Sequence, residues 1–151
     1  MENSLTKAAD GLNHLIVIAN DGKEGYAQAA DYVGDAVLKA QFLRYSTQRD
    51  EFADELRTLV AATGTDPETG GGPLGAIHRV WVDVITSFAT NDNKAIIKEC
   101  IRGEETAVSA YETVLKENVL TSEQQNILKK QLKLTRDALF DLNQQLSSIN
   151  D

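Results

Sequence analysis

Apolar residues recur by threes and fours over four long stretches of this chain, the spacing of one face of an α-helix. The first stretch runs from about Ser4 to Val33. Its face is Leu5, Ala8, Leu12, Leu15, Ala19, Gly22, Tyr26, Ala29 and Val33. Asn20-Asp21-Gly22 is a weak point, yet the stripe keeps phase across it, so one helix is expected, with a break into two as the alternative. Gly34-Asp35 reads as a tight turn, the glycine ending one helix and Asp35 capping the next. The second stretch, about Asp35 to Ala62, carries Leu38, Phe42, Tyr45, Arg49, Phe52, Leu56 and Leu59. The third, about Asn93 to Glu117, carries Ile97, Cys100, Glu104, Ala107, Tyr111 and Val114, with Asp92 or Asn93 as its cap. The fourth opens at Thr121 or Ser122, each followed three residues later by a glutamine, the pattern of a capping box. Its stripe is Gln125, Leu128, Leu132, Thr135, Leu139, Leu142 and Leu146.

The breakers concentrate in one place. Both prolines, Pro67 and Pro73, lie in Thr63–Pro73, a glycine-rich tract. A shorter amphipathic helix, about Leu74 to Phe88, is expected after it, with Leu74, Ile77, Trp81, Ile85 and Phe88 on its apolar edge. The pattern therefore predicts a single all-α domain over residues 1–151. The short links after the first and third helices predict two antiparallel hairpins. The long link with its short helix allows the second and third helices to run parallel, an up-down-down-up order. A short internal similarity, Asp21-Gly22-Lys23-Glu24 against Arg102-Gly103-Glu104-Glu105, agrees with two related hairpins.

Two of these stripes contain a charge where an apolar residue is expected. Glu104 interrupts the third and Arg49 the second. An isolated charge on a buried face is too unfavourable to persist, so Glu104 must be paired, bound to metal or protonated.

Composition narrows the function. With 42% hydrophobic and 25% charged residues, the 151-residue chain has an ordinary globular balance. The net charge of −8 argues against nucleic acid and against an anionic membrane surface. No apolar run approaches the roughly 20 residues that span a bilayer. No basic segment leads into an apolar run at the N-terminus, so a cytoplasmic location is expected. The single cysteine, Cys100, reads as a buried small hydrophobe. The two histidines, His14 and His78, support no Ser-His-Asp or Cys-His arrangement. Gly70-Gly71-Gly72 lacks the Lys-Ser/Thr of a phosphate loop. The sequence therefore leans against an enzyme.

Four segments, in order, carry a resemblance: NDGKEGYAQAADYV (Asn20–Val33), QRDEFADELRTLV (Gln48–Val60), GAIHRVWVDV (Gly75–Val84) and IIKECIRGEETAVSAYETVL (Ile96–Leu115). Together they resemble a bacterial family of uncharacterised ferritin-like four-helix-bundle proteins, over about Leu12 to Leu142. The resemblance implies a small cytoplasmic protein with no assigned activity, in a structural, stress-associated or interaction role. The wider ferritin-like superfamily includes ferritins, rubrerythrins and di-iron oxidases, and so raises the question of iron.

A ferritin-like di-iron centre takes a Glu from each of two helices and Glu-x-x-His from each of the other two. Neither histidine here lies in the second or fourth helix. The corresponding core positions hold Arg49 and Thr135, with Arg136 beside the latter, and only Glu104 remains as an inward carboxylate. Arginine is always protonated and repels a divalent cation, but its fork can hold a carboxylate by two hydrogen bonds. The expectation is a buried layer of Glu104 and Arg49 extended by Arg136 and Thr135, with the hydroxyls of Tyr26 and Tyr111 joining it and no metal or other cofactor. The alternative is iron or another divalent metal bound by Asp21, Glu24, Glu51 and Glu104. A homodimer is expected, with Trp81 and Phe88 as candidates for its surface.

Overall fold

The structure is a computed structural model that describes residues 2–67 and 92–149. Four α-helices account for nearly all of them: α1 (Glu2–Tyr32), α2 (Ala36–Ala62), α3 (Asn93–Lys116) and α4 (Ser122–Ile149). Among the described residues there is no strand. The helix expected over Leu74 to Phe88, with Trp81, Phe88 and His78, lies outside them.

Local chemistry sets the helix ends. The carboxylate of Asp35 accepts from the backbone N–H groups of Val37 (2.8 Å) and Leu38 (3.1 Å), two donors that the first turn leaves unpaired. Asp92 caps α3 by accepting from the N–H of Lys94 at 3.0 Å. At the start of α4 the capping box is closed by Thr121, not Ser122. Gln124 N–H donates to the Thr121 hydroxyl oxygen at 3.1 Å, and Thr121 N–H donates back to the Gln124 side-chain oxygen at 2.9 Å. Past its C-cap residue, α3 stops at Asn118, whose φ of 58° is left-handed, while α2 gives way to Gly64 at φ 82°. Gly34 is not in that region, so the turn between α1 and α2 does not require glycine.

α1 is one continuous helix through Asn20-Asp21-Gly22. Asn20 is buried there, and its side-chain oxygen accepts from Arg57 Nη2 of α2 at 3.1 Å, which gives its polar group a partner outside the helix backbone. Further pairings follow along the α1–α2 seam: Ser46 donates to the Lys23 carbonyl (2.8 Å), Lys23 pairs with Asp50 (3.0 Å) and Asn13 donates to the Asp66 carbonyl (3.5 Å). Partners in α1 step backwards as those in the second segment step forwards. The same holds along α2 and α4, where Gln41 meets Gln145, Phe52 meets Gln131 and Glu55 meets Lys130. α3 and α4 are joined by residues 117–121. Across this short link α4 lies along α3, with Tyr111 bonded to Gln131 and Glu112 paired with Arg136. Between α1 and α3, Gly11 lies against Val114, and Tyr26 lies beside Glu104 and Cys100.

The core takes side chains from all four helices, among them Leu12, Ile16, Phe42, Leu56, Ile97, Leu128 and Leu142. Two sequence assignments change. Leu5, placed on the apolar stripe of α1, is exposed. On α4 the buried face is turned from the expected one, so that Gln124, Gln131 and Ala138 face inward while Gln125, Leu139 and Leu146 are only partly covered. No helix among the described residues is long and apolar enough to cross a membrane.

Candidate functional site

The phase of α2 turns Arg49 inward between Tyr45 and Phe52, and the phase of α3 turns Glu104 inward between Cys100 and Ala107. The two side chains meet in the core. Arg49 Nη1 donates to Glu104 Oε1 at 2.5 Å and Nη2 to Oε2 at 2.7 Å, a fork-to-fork pair. Glu104 is 0% exposed and Arg49 4%. The third guanidinium donor, Nε, reaches the side-chain oxygen of Gln48 at 3.2 Å. The guanidinium carbon lies 5.7 Å from the ring centre of Tyr26 and 5.4 Å from that of Phe52, so the cation has aromatic neighbours on two sides as well as a counter-ion.

Electrostatics follow from that geometry. Burial works to lower the Arg49 pKa, but the charge of Glu104 and its hydrogen bonds outweigh burial, and the guanidinium is held charged more firmly than in water. The Tyr26 phenol is pushed well above its usual range, first by burial and then by the Glu104 carboxylate. Burial, reinforced by Glu104, likewise raises the Cys100 thiol well above the ordinary cysteine range, so it is no thiolate nucleophile. Tyr111 is raised by burial, with Arg49 pulling the other way.

A second polar chain leads outward. The Tyr111 hydroxyl donates to Gln131 Oε1 at 2.6 Å. Gln131 Nε2 donates to the Phe52 carbonyl (3.3 Å) and to Glu55 (3.0 Å), and Glu55 pairs with Lys130 at the surface (2.7 Å). Gln131 was missing from the sequence-derived layer, although its place three residues after Leu128 and four before Thr135 puts it on the inward face.

The remaining expected members divide. Thr135 is fully buried, but its hydroxyl donates to the Gln131 carbonyl one turn back (2.8 Å), so it ties down its own helix and does not reach Glu104. Arg136 is not part of the layer. It lies one helical step round from Thr135, is half exposed, and pairs with Glu112 of α3 at 2.6 Å. For the alternative metal set, Asp21 is buried while Glu24 and Glu51 face solvent, and Glu104 gives both oxygens to Arg49. No three His, Cys, Asp or Glu side chains among the described residues lie close enough to hold a metal ion. His14 is exposed. The described residues do not fit a di-metal centre, because Glu104 already neutralises a fixed cation and the other buried carboxylate of the set, Asp21, has no further His, Cys, Asp or Glu grouped with it.

Over the described residues, fold and site together define an all-helical bundle whose centre is a buried guanidinium–carboxylate pair flanked by aromatic rings. The sequence profile described as "Domain of unknown function (DUF2383)" matches residues 7–117, and the chain belongs to that family. The match contains Tyr26, Arg49 and Glu104 and ends before α4. No curated protein matches the sequence.

Proposed function

We propose that the chain is a single-domain bacterial, cytoplasmic, ferritin-like bundle in up-down-down-up order, in which the Glu104–Arg49 layer occupies the place of a di-metal centre. It works without catalysis, as a structural or interaction protein of stress-associated type, and as a homodimer. The stepping of partners along α1–α2, α2–α4 and α1–α3 supports the helix order. The observation that carries the reading is the use of both Glu104 oxygens by Arg49. A carboxylate bound in this way has neither the spare oxygen nor the negative field that a bridging metal ligand needs. What the pair does supply is registry. A bidentate bond between α2 and α3, helices distant in sequence, fixes how far one slides past the other, which an apolar contact tolerates within limits.

Metal analysis of protein purified without chelator tests the proposal. Well under one equivalent of iron, manganese or zinc per chain is expected. About two equivalents, with an oxygen-sensitive absorption band, would overturn it in favour of a carboxylate-bridged metal protein.

A further inference from the structure

Among the described residues, four of the six exposed large hydrophobic side chains lie on two helices at one end of the bundle: Val37 and Leu43 on α2, Phe140 and Ile149 on α4. The Gln41–Gln145 hydrogen bond sets the register of the two helices there and brings Ile149 level with Val37. Val37 is 72% exposed and Phe140 62%, too open for core positions. Between the helices runs a groove of about 330 Å³ with Arg44 on one wall and Asp141 on the other. Neither charge has an ion-pair or hydrogen-bond partner among the described residues. The next groove along the same helix pair differs: Glu51, Asp54 and Glu55 line it against a single Lys130.

This contrast identifies the occupant. In a chain of net charge −8, two copies repel unless they meet where the local charge is balanced. The Arg44–Asp141 end is balanced and apolar, and the acidic groove is not. A strongly basic partner would be drawn to the acidic groove and away from this face. In a two-fold contact, residue i meets residue j twice, so one unpaired cation and one unpaired anion on the same face are self-complementary. We propose that the α2–α4 end around Val37, Leu43 and Phe140 is the surface on which a second copy of this chain docks, with Arg44 of each protomer opposite Asp141 of the other. This rests on the homodimer reading above and assigns its interface.

Sedimentation velocity on the full chain tests it. The wild type is expected to be dimeric at tens of micromolar, and Val37→Glu monomeric. Arg44→Glu and Asp141→Arg alter exposed positions, and circular dichroism checks that each remains folded. Each places like charges opposite one another at two points and should raise the dissociation constant about tenfold or more. An equimolar mixture of the two single variants should dimerise again, because both cross-contacts then join opposite charges. A mixture that stays monomeric would overturn the Arg44–Asp141 assignment, as would pairing of these two charges within one chain, in which case only the double variant recovers. Wild-type dimers unaffected by all three substitutions would place the interface elsewhere and leave the homodimer reading standing. A monomeric wild type at about 100 μM would remove both.

Discussion

Glu104→Gln is the most direct perturbation of the buried layer. It keeps the shape of the side chain but removes its charge and turns one of two acceptors into a donor. Arg49 stays behind at 4% exposure, with one Nη group facing an NH₂. Tyr26, Phe52 and the Gln48 oxygen remain around it but supply no counter-charge. Removing one partner of a buried pair typically destabilises by about 3–5 kcal/mol. Glutamine keeps one acceptor, which points to the lower end, about 3 kcal/mol. For a domain of this size that is a fall in Tm of roughly 6–12 °C. Urea unfolding followed by circular dichroism measures the loss directly, with an unchanged m-value showing that the native state is intact. The companion variant, Glu104→Leu with Arg49→Met, removes both charges and should lie within about 2 kcal/mol of wild type, because desolvation of the ions disappears along with their attraction. If Glu104→Gln unfolds within about 0.5 kcal/mol of wild type, the uncompensated cation is not what controls stability here, and the reasoning fails.

Three further outcomes are expected. Burial and then Glu104 raise the Tyr26 phenol in the folded chain, so its contribution is complete below the unfolded tyrosine value of about 10 and is lost as pH rises from there through the higher folded value. Tyr26→Phe should flatten the decline in urea-unfolding stability above about pH 10, and an unchanged slope there would contradict the assignment. Burial works to raise Glu55, but hydrogen bonds from Lys130 and Gln131 leave its carboxyl below the usual glutamate range, so its stabilisation is present above that range and lost as pH falls through the depressed value. Lys130→Ala should move the Glu55 carboxyl resonance to titrate at higher pH in NMR; an unmoved midpoint would rule out Lys130 as the cause. A Cβ on Gly11 would sit 3.0 Å from Val114 Cγ1, whereas one on Gly34 meets nothing within 4 Å. Gly11→Leu should therefore cost about 1–3 kcal/mol in thermal or urea unfolding while Gly34→Ala is nearly neutral, and equal effects would contradict the close approach of α1 and α3.

Helix existence, helix ends and the inward phase of Arg49 and Glu104 were legible in the chain because each depends on neighbours within a turn or two. A carboxylate or hydroxyl at the N-cap acts on backbone N–H groups two or three residues away, and a stripe repeats every turn. Asp35 and Asp92 were readable as caps for that reason, while the choice between Thr121 and Ser122 needed the actual side-chain bonds. The polar layer was readable only where a charge broke an apolar stripe. Gln131 escaped because Leu132 beside it served the periodicity equally well, and a 100° step separates the two. Arg136 was misplaced for the same reason: periodicity assigns a face to within about one residue, and that step carries a side chain from the core to solvent.

By itself, then, the sequence determined four amphipathic helices and the need for a compensating partner wherever a charge lies on an apolar face, both consequences of local hydrogen bonding and of the unfavourable burial of charge. The ferritin-like resemblance set Arg49 opposite Glu104 as an expectation, and only the tertiary structure decided the fork-to-fork geometry and which other residues join the pair. Arg49 and Glu104 are 55 residues apart, and nothing local to either specifies the other. The packing of the four helices brings the guanidinium fork of α2 across the core onto the carboxylate of α3, sets Tyr26 and Phe52 beside it, and leaves Arg136 outside to pair with Glu112.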